Sequence, residues 1–100
     1  MKFGLSDDAI AMIVQVFRNH VEVDLVKVFG SRSMGTDRPN SDIDLAIWGD
    51  LSEQSIGKIQ LELDELPLPY SFDVEAYDAI KHPPVKEHIE THGRVLFQRQ

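Results

Sequence analysis

Apolar residues recur along this chain with two different periods, and the period predicts each element. Ile10, Ile13, Val14 and Phe17 fall three and four apart, the stripe of an amphipathic helix. Ser6 stands where its hydroxyl can cap that helix, and Asp7 and Asp8 suit its positive end. Leu5 and Ile10 fit a hydrophobic staple around the cap, so a helix is predicted from Ser6 to about Asn19. Leu25-Val26-Lys27-Val28-Phe29 is rich in β-branched and aromatic residues and reads as a short buried strand. From Asp42 the period becomes two: Ile43, Leu45 and Ile47 leave one face of a second strand, Asp42 and Asp44 the other. Helical spacing returns after Ser52 with Ile56, Ile59, Leu63 and Leu66, before Pro67 stops the run. Within Tyr70–Tyr77, Phe72, Val74 and Ala76 alternate with Asp73 and Glu75, a third strand with one apolar face. Pro84 can open a short third helix carrying Val85 and Ile89, closed by Gly93. Arg94-Val95-Leu96-Phe97 reads as a last strand or an extended tail.

Strands alternating with helices in this order predict an α+β, two-layer domain over residues 1–100, with a mixed sheet and helices packed mainly on one face. A chain of 100 residues can bury one small core with little to spare. Zero cysteines exclude a disulfide scaffold and any thiolate site. No stretch approaches the length of a membrane span and Met1-Lys2-Phe3-Gly4 begins no signal peptide, so no membrane association and a cytoplasmic location are expected. The net charge of −7, with no basic cluster, disfavours direct binding of nucleic acid.

The chemistry concentrates between Val26 and Trp48. Gly30 at the end of an apolar strand allows a sharp turn and a close backbone approach to a ligand. Ser31 adds a hydroxyl and a backbone N–H, and the residues after it can start a helix whose N-terminus attracts anions. Asp42 and Asp44, two apart in a strand, send both carboxylates from one face at roughly 7 Å along the chain. Like charges so placed repel, and divalent cations about 3.5–4 Å apart would relieve the repulsion while bridging triphosphate oxygens. Mg²⁺ suits such a site, because it takes carboxylate and phosphate oxygens and keeps some water. Asp73 and Glu75 share the polar face of the third strand, where a further carboxylate can complete a metal site and accept a proton. Arg32 and Arg38 each offer a planar fork to phosphate, or are plain surface arginines. His88 and His92 stand at i and i+4 on the third helix, but without a third ligand they read as a solvated helix face. Trp48 can stack on a nucleobase, although packing at a sheet edge is the commoner fate.

The Gly30-Ser31 step, the Asp42-Ile43-Asp44 triplet and the acidic third strand together resemble the nucleotidyltransferase superfamily of the DNA polymerase β type. Within it the chain is similar to the minimal nucleotidyltransferases (MNT), over nearly its whole length from about Leu5 to about Phe97. The resemblance implies the nucleotidyltransferase fold and transfer of a nucleotidyl group, AMP from ATP, to an acceptor hydroxyl. It implies Asp42, Asp44 and Asp73 as ligands of two Mg²⁺ ions, with Asp73 matching the family's third acid and acting as base, and Glu75 as the alternative. Gly30, Ser31 and Arg32 are implied to hold the nucleotide, Arg32 ranking above Arg38 because the family often carries a basic residue near that position. Minimal nucleotidyltransferases commonly occur beside all-helical HEPN proteins as toxin–antitoxin pairs. The resemblance therefore implies a HEPN-type partner, neutralised by binding or by AMP transfer to one of its tyrosines. The rival reading from another class is a nucleotide-binding module or stoichiometric inhibitor with little catalysis. A free-standing enzyme acting on a small molecule is a third, disfavoured because no acceptor-binding extension is present.

Overall fold

The computed structural model describes residues 2–32, 34–35 and 42–100, with Ser31 described for its backbone alone. Arg38 lies outside the described residues. Helix α1 spans Asp7–Arg18, and the Ser6 hydroxyl accepts from the Ala9 N–H at 3.1 Å, the cap its sequence suggests. Strand β1 follows at Val23–Phe29, and a single 3₁₀ turn covers Gly30–Arg32. Of the helix expected after Gly-Ser, the described residues show this one turn. Strand β2 is Ile43–Gly49, helix α2 Glu53–Asp64 and strand β3 Phe72–Ala76. Helix α3, Pro83–His92, precedes strand β4, Arg94–Gln98, which settles the tail as a strand.

Two helix boundaries differ from the sequence expectation for local reasons. The second helix ends at Asp64, short of Leu66, because a residue before proline is pushed out of the helical region. Leu66 still packs on the core from outside the helix. The third helix begins at Pro83, one residue earlier than expected, since neither proline in its first turn needs to supply an N–H.

The sheet order is β3-β2-β1-β4. β1 pairs antiparallel with both β2 and β4, while β2 and β3 run parallel, joined by α2 as a crossover. Ile43, Leu45 and Ile47 of β2 join Val26 and Val28 of β1 and Val74 of β3 beneath α1 and α2, which contribute Ile13, Phe17, Ile59 and Leu63. The opposite face carries a second, smaller cluster: Phe29, Ala46 and Ile89, with Trp48, Tyr77, Ile80 and Val85 against them. Helix α3 therefore packs on the face opposite α1 and α2, so two helices of three share one side of this α+β sheet.

Two polar side chains fasten this arrangement. Arg99 donates to the carbonyls of Val23 at 2.9 Å, Phe17 at 3.1 Å and His20 at 2.9 Å, satisfying backbone left open where α1 ends. Gln60 of α2 reaches the outer edge of β3, donating to the Phe72 carbonyl at 2.8 Å and accepting from the Val74 N–H at 3.2 Å. No helix among the described residues is long and apolar enough to cross a membrane.

Ile13 is fully buried whereas Leu61 of α2 is 59% exposed. Ile13→Ala should lower unfolding free energy by about 2–5 kcal/mol, the combined loss of transfer energy and a cavity. Leu61→Ala should change it by no more than about 0.5 kcal/mol. Urea denaturation of the two variants checks the pair; similar losses would mean the core is not centred where α1 meets the sheet.

Candidate active site

Antiparallel pairing places Phe29 opposite Asp44, so the turn that follows Phe29 lies against the Asp44 side chain. Gly30 takes φ +78°, a left-handed conformation that favours glycine. A Cβ at Gly30 would stand 2.6 Å from Asp44 Oδ2, so the turn and the carboxylate fit only because Gly30 has none. On the other side of β2, the parallel register sets Asp44 directly beside Asp73 and Ala46 beside Glu75. Asp42 is exposed just before the first residue of β2. The structure thus gathers Gly30, Asp42, Asp44 and Asp73 at one end of the sheet, with Glu75 one step along β3. Gln60 braces Asp73 from behind, since it bonds the backbone of both neighbours, Phe72 and Val74.

Crowding of acids has an electrostatic signature. Withdrawal of water from the half-buried Asp44 carboxyl, followed by the charges of Asp73, Asp42 and Glu75, raises its pKa to about 6. Burial and then Asp73 also push the exposed Glu75 upward from its ordinary value. A cation would reverse this strain. Among the described residues, no three His, Asp or Glu side chains converge closely enough to hold a metal ion by themselves. The donor set nevertheless fits Mg²⁺, which is typically held by one or two carboxylates together with the phosphates of a substrate.

Several side chains sit elsewhere than their sequence positions suggest. Arg32 is 2% exposed; its Nη1 donates to the Phe3 carbonyl at 2.8 Å and its guanidinium lies 5.1 Å from the Tyr70 ring centre. Arg32 is therefore not a surface arginine: its described contacts brace the turn at Phe3, where φ is 58°, from inside the fold. Trp48 stacks on Tyr77 at 4.6 Å with the planes 20° apart, and Lys27 Nζ lies 5.5 Å from its ring centre, which is the packing fate rather than an open platform. His88 is no solvated bystander. Its Nε2 accepts the Gly30 N–H at 2.9 Å, and its ring meets Phe29 edge-on at 6.3 Å. That link was hidden in the sequence, because it needs α3 to fold across the face away from the main core.

A half-turn that brings bare backbone to a carboxylate pair on a mixed sheet defines a site of nucleotidyltransferase type. The family model of polymerase β nucleotidyltransferases matches residues 11–100, and the chain belongs to that family. Among solved structures, it is similar to a toxin–antitoxin complex with AMP-PNP, at TM-score 0.75 and 24% identity over 91% of this chain and 74% of that one. An MntA–HepT toxin–antitoxin complex follows at TM-score 0.70 and 18% identity, over 94% of this chain and 74% of that one. A tri-AMPylated HEPN toxin of Shewanella oneidensis in complex with its MNT antitoxin gives TM-score 0.71 and 19% identity, over 95% and 74%. At these identities the likeness establishes a shared fold. No curated protein matches the chain.

The raised Asp44 pKa has a definite sign for stability. In the metal-free protein the folded state keeps a proton between roughly pH 4 and about 6 that the unfolded state has released. Stability should therefore fall as pH rises through that window, and Asp44→Asn should flatten the fall and be the more stable protein at pH 7. Melting temperatures of both proteins from pH 4 to 8 test this; parallel curves would refute it.

Gly30→Ala should destabilise the fold by about 1–2 kcal/mol from its left-handed backbone alone, with the collision against Asp44 added. Chemical denaturation reads the loss, and an alanine variant as stable as the parent would contradict the geometry.

Proposed function

We propose that this chain is a minimal nucleotidyltransferase that acts as the antitoxin of a toxin–antitoxin pair, moving AMP from ATP onto a hydroxyl of a HEPN-type helical toxin. The observation that carries the reading is the register that sets Asp44 beside Asp73 and against the Gly30 turn, in a chain of the polymerase β nucleotidyltransferase family. The AMP-PNP complex and the tri-AMPylated HEPN toxin among its structural neighbours support the substrate and the acceptor class.

In this reading Asp42, Asp44 and Asp73 hold two Mg²⁺ ions jointly with the triphosphate. The bound ions supply charge neutralisation of the triphosphate and polarise the phosphorus under attack. The Gly30 N–H is taken by His88, so the turn offers the backbone N–H of Ser31 to the departing pyrophosphate. Asp73, on the edge strand β3 and exposed, takes the proton of the attacking hydroxyl; it lies beside Asp44, whereas Glu75 lies beside Ala46. One P–O bond forms to the acceptor as the bond to pyrophosphate breaks, with entering and leaving oxygens in line. The position of Asp73 at the sheet edge leaves its side open to a hydroxyl carried on another protein. The acidic chain, at −7, would speed encounter with a basic partner at low salt.

Incubation with a HEPN-type partner, ATP and Mg²⁺ should add one or more AMP units to a Tyr, Ser or Thr of the partner, read by mass spectrometry. Asp73→Asn should abolish the transfer, whereas Glu75→Gln should keep the rate within about tenfold, under roughly 1.4 kcal/mol of barrier. Label appearing only on RNA, DNA or a small molecule would refute the acceptor, and the reverse ranking of the two acids would move the base to Glu75.

A further inference from the structure

His88 lies on the helix that covers the second face of the sheet, and it holds the first residue of the turn. Its Nε2 is an acceptor for the Gly30 N–H, at 2.9 Å. An imidazole nitrogen accepts only when it carries no proton, so the bond fixes the tautomer with hydrogen on Nδ1. The ring cannot drift from this position freely: Phe29 meets it edge-on, and His92 lies 5.3 Å away on the next turn of α3. Gly30 is thereby held from two directions. Its N–H points to α3, while its bare Cα faces Asp44 Oδ2.

A left-handed glycine is conformationally the loosest residue a phosphate-gripping turn can start with. Unanchored, Gly30 would sample several turns, and each nucleotide bound would bear the cost of ordering it. We propose that His88 is a positioning residue for nucleotide binding: its neutral Nε2 fixes the Gly30 N–H so that the backbone after it is set for the triphosphate before the nucleotide arrives. This rests on the nucleotidyl-transfer reading. It adds a specific dependence, on an acceptor atom at position 88, that neither the family's acids nor the Gly-Ser step contains. It also ties the turn to α3, so a partner that shifts α3 shifts nucleotide affinity.

Three measurements on the full chain test it. In the wild-type protein, a through-bond ¹⁵N–¹⁵N coupling between the Gly30 amide and His88 Nε2 should be visible by NMR and should persist on saturation with Mg²⁺-ATP. Its disappearance on binding would overturn the proposal, whatever any variant does. By calorimetry, His88→Leu should bind Mg²⁺-ATP about tenfold more weakly, the scale of one lost hydrogen bond. Transfer at saturating ATP should stay near the wild-type rate, the pattern of lost uniform binding. His88→Gln, which restores an acceptor oxygen, should recover most of the affinity, and His92→Leu should bind normally.

Equal affinity in wild type and His88→Leu, both folded, would overturn the inference and leave the nucleotidyltransferase reading intact. Failure of the wild type itself to bind Mg²⁺-ATP would overturn both. His88→Gln as weak as His88→Leu would assign the effect to ring packing on Phe29 and remove the acceptor role. Should His88→Leu not fold, the wild-type coupling with and without nucleotide, together with His88→Gln, still decides the matter.

Discussion

Parallel pairing of β2 with β3 forces two carboxylates, Asp44 and Asp73, into the same row of a small sheet. Taken alone that row is unfavourable, because like charges are crowded where Asp44 has lost part of its water. What compels it lies on the reverse side. Ile43, Leu45 and Ile47 of one strand and Phe72 and Val74 of the other are buried beneath α1 and α2, and a slip by one residue would turn all of them outward. The apolar face thus dictates the register, and the register dictates the acids. Stability in the core thus sustains charge repulsion on the opposite face of the same strands.

The second face of the sheet is divided along its length. At one end the acids and the Gly30 turn are grouped; at the other, Trp48 and Tyr77 stack on each other, with Lys27 and Lys86 over their rings. Between them Ala46, fully buried, is small enough to let α3 settle close to the strands. That closeness is what carries His88 to the turn. A bulky residue at position 46 would lift α3, and the Gly30 bond with it, without touching any acid. The three-residue turn is therefore coupled to a helix that enters the sequence more than fifty residues later, as the separation of 58 between Gly30 and His88 records.

Much of this was legible in the sequence, for reasons that can be stated residue by residue. Period-two and period-3.6 patterns depend on only one buried face, so β2, β3, α1 and α2 announced themselves through Ile43, Leu45, Ile47, Ile13 and Ile59. Caps depend on a single hydroxyl, and Ser6 accepts from the N–H three residues on, as its position suggested; Ser52 does the same at the start of α2. The pairing of Asp44 with Asp73 was legible only as far as each sat on a polar face; their adjacency is a matter of strand order, which no local pattern contains. Arg32 is no surface arginine and His88 no solvated one for a common cause: each side chain meets a distant segment, Phe3 for the arginine and Gly30 for the histidine. Trp48 was read as packing at a sheet edge more often than stacking on a base, and its stack on Tyr77 is that packing.

Gln60 shows how so small a sheet remains a single copy's property. An edge strand offers unpaired N–H and C=O groups to any other strand that approaches, which is the usual start of sheet-to-sheet aggregation. In β3 the primary amide of Gln60 takes the place of that missing neighbour, presenting both an acceptor and a donor to the Phe72–Val74 edge. The strand bearing Asp73 is thereby partly sealed against a second β-edge while its charged face stays open. A helical protein can approach that face without competing for backbone hydrogen bonds, whereas another copy of this chain would have to displace Gln60 to add a strand there. One uncharged side chain thus biases the kind of company the acidic strand keeps.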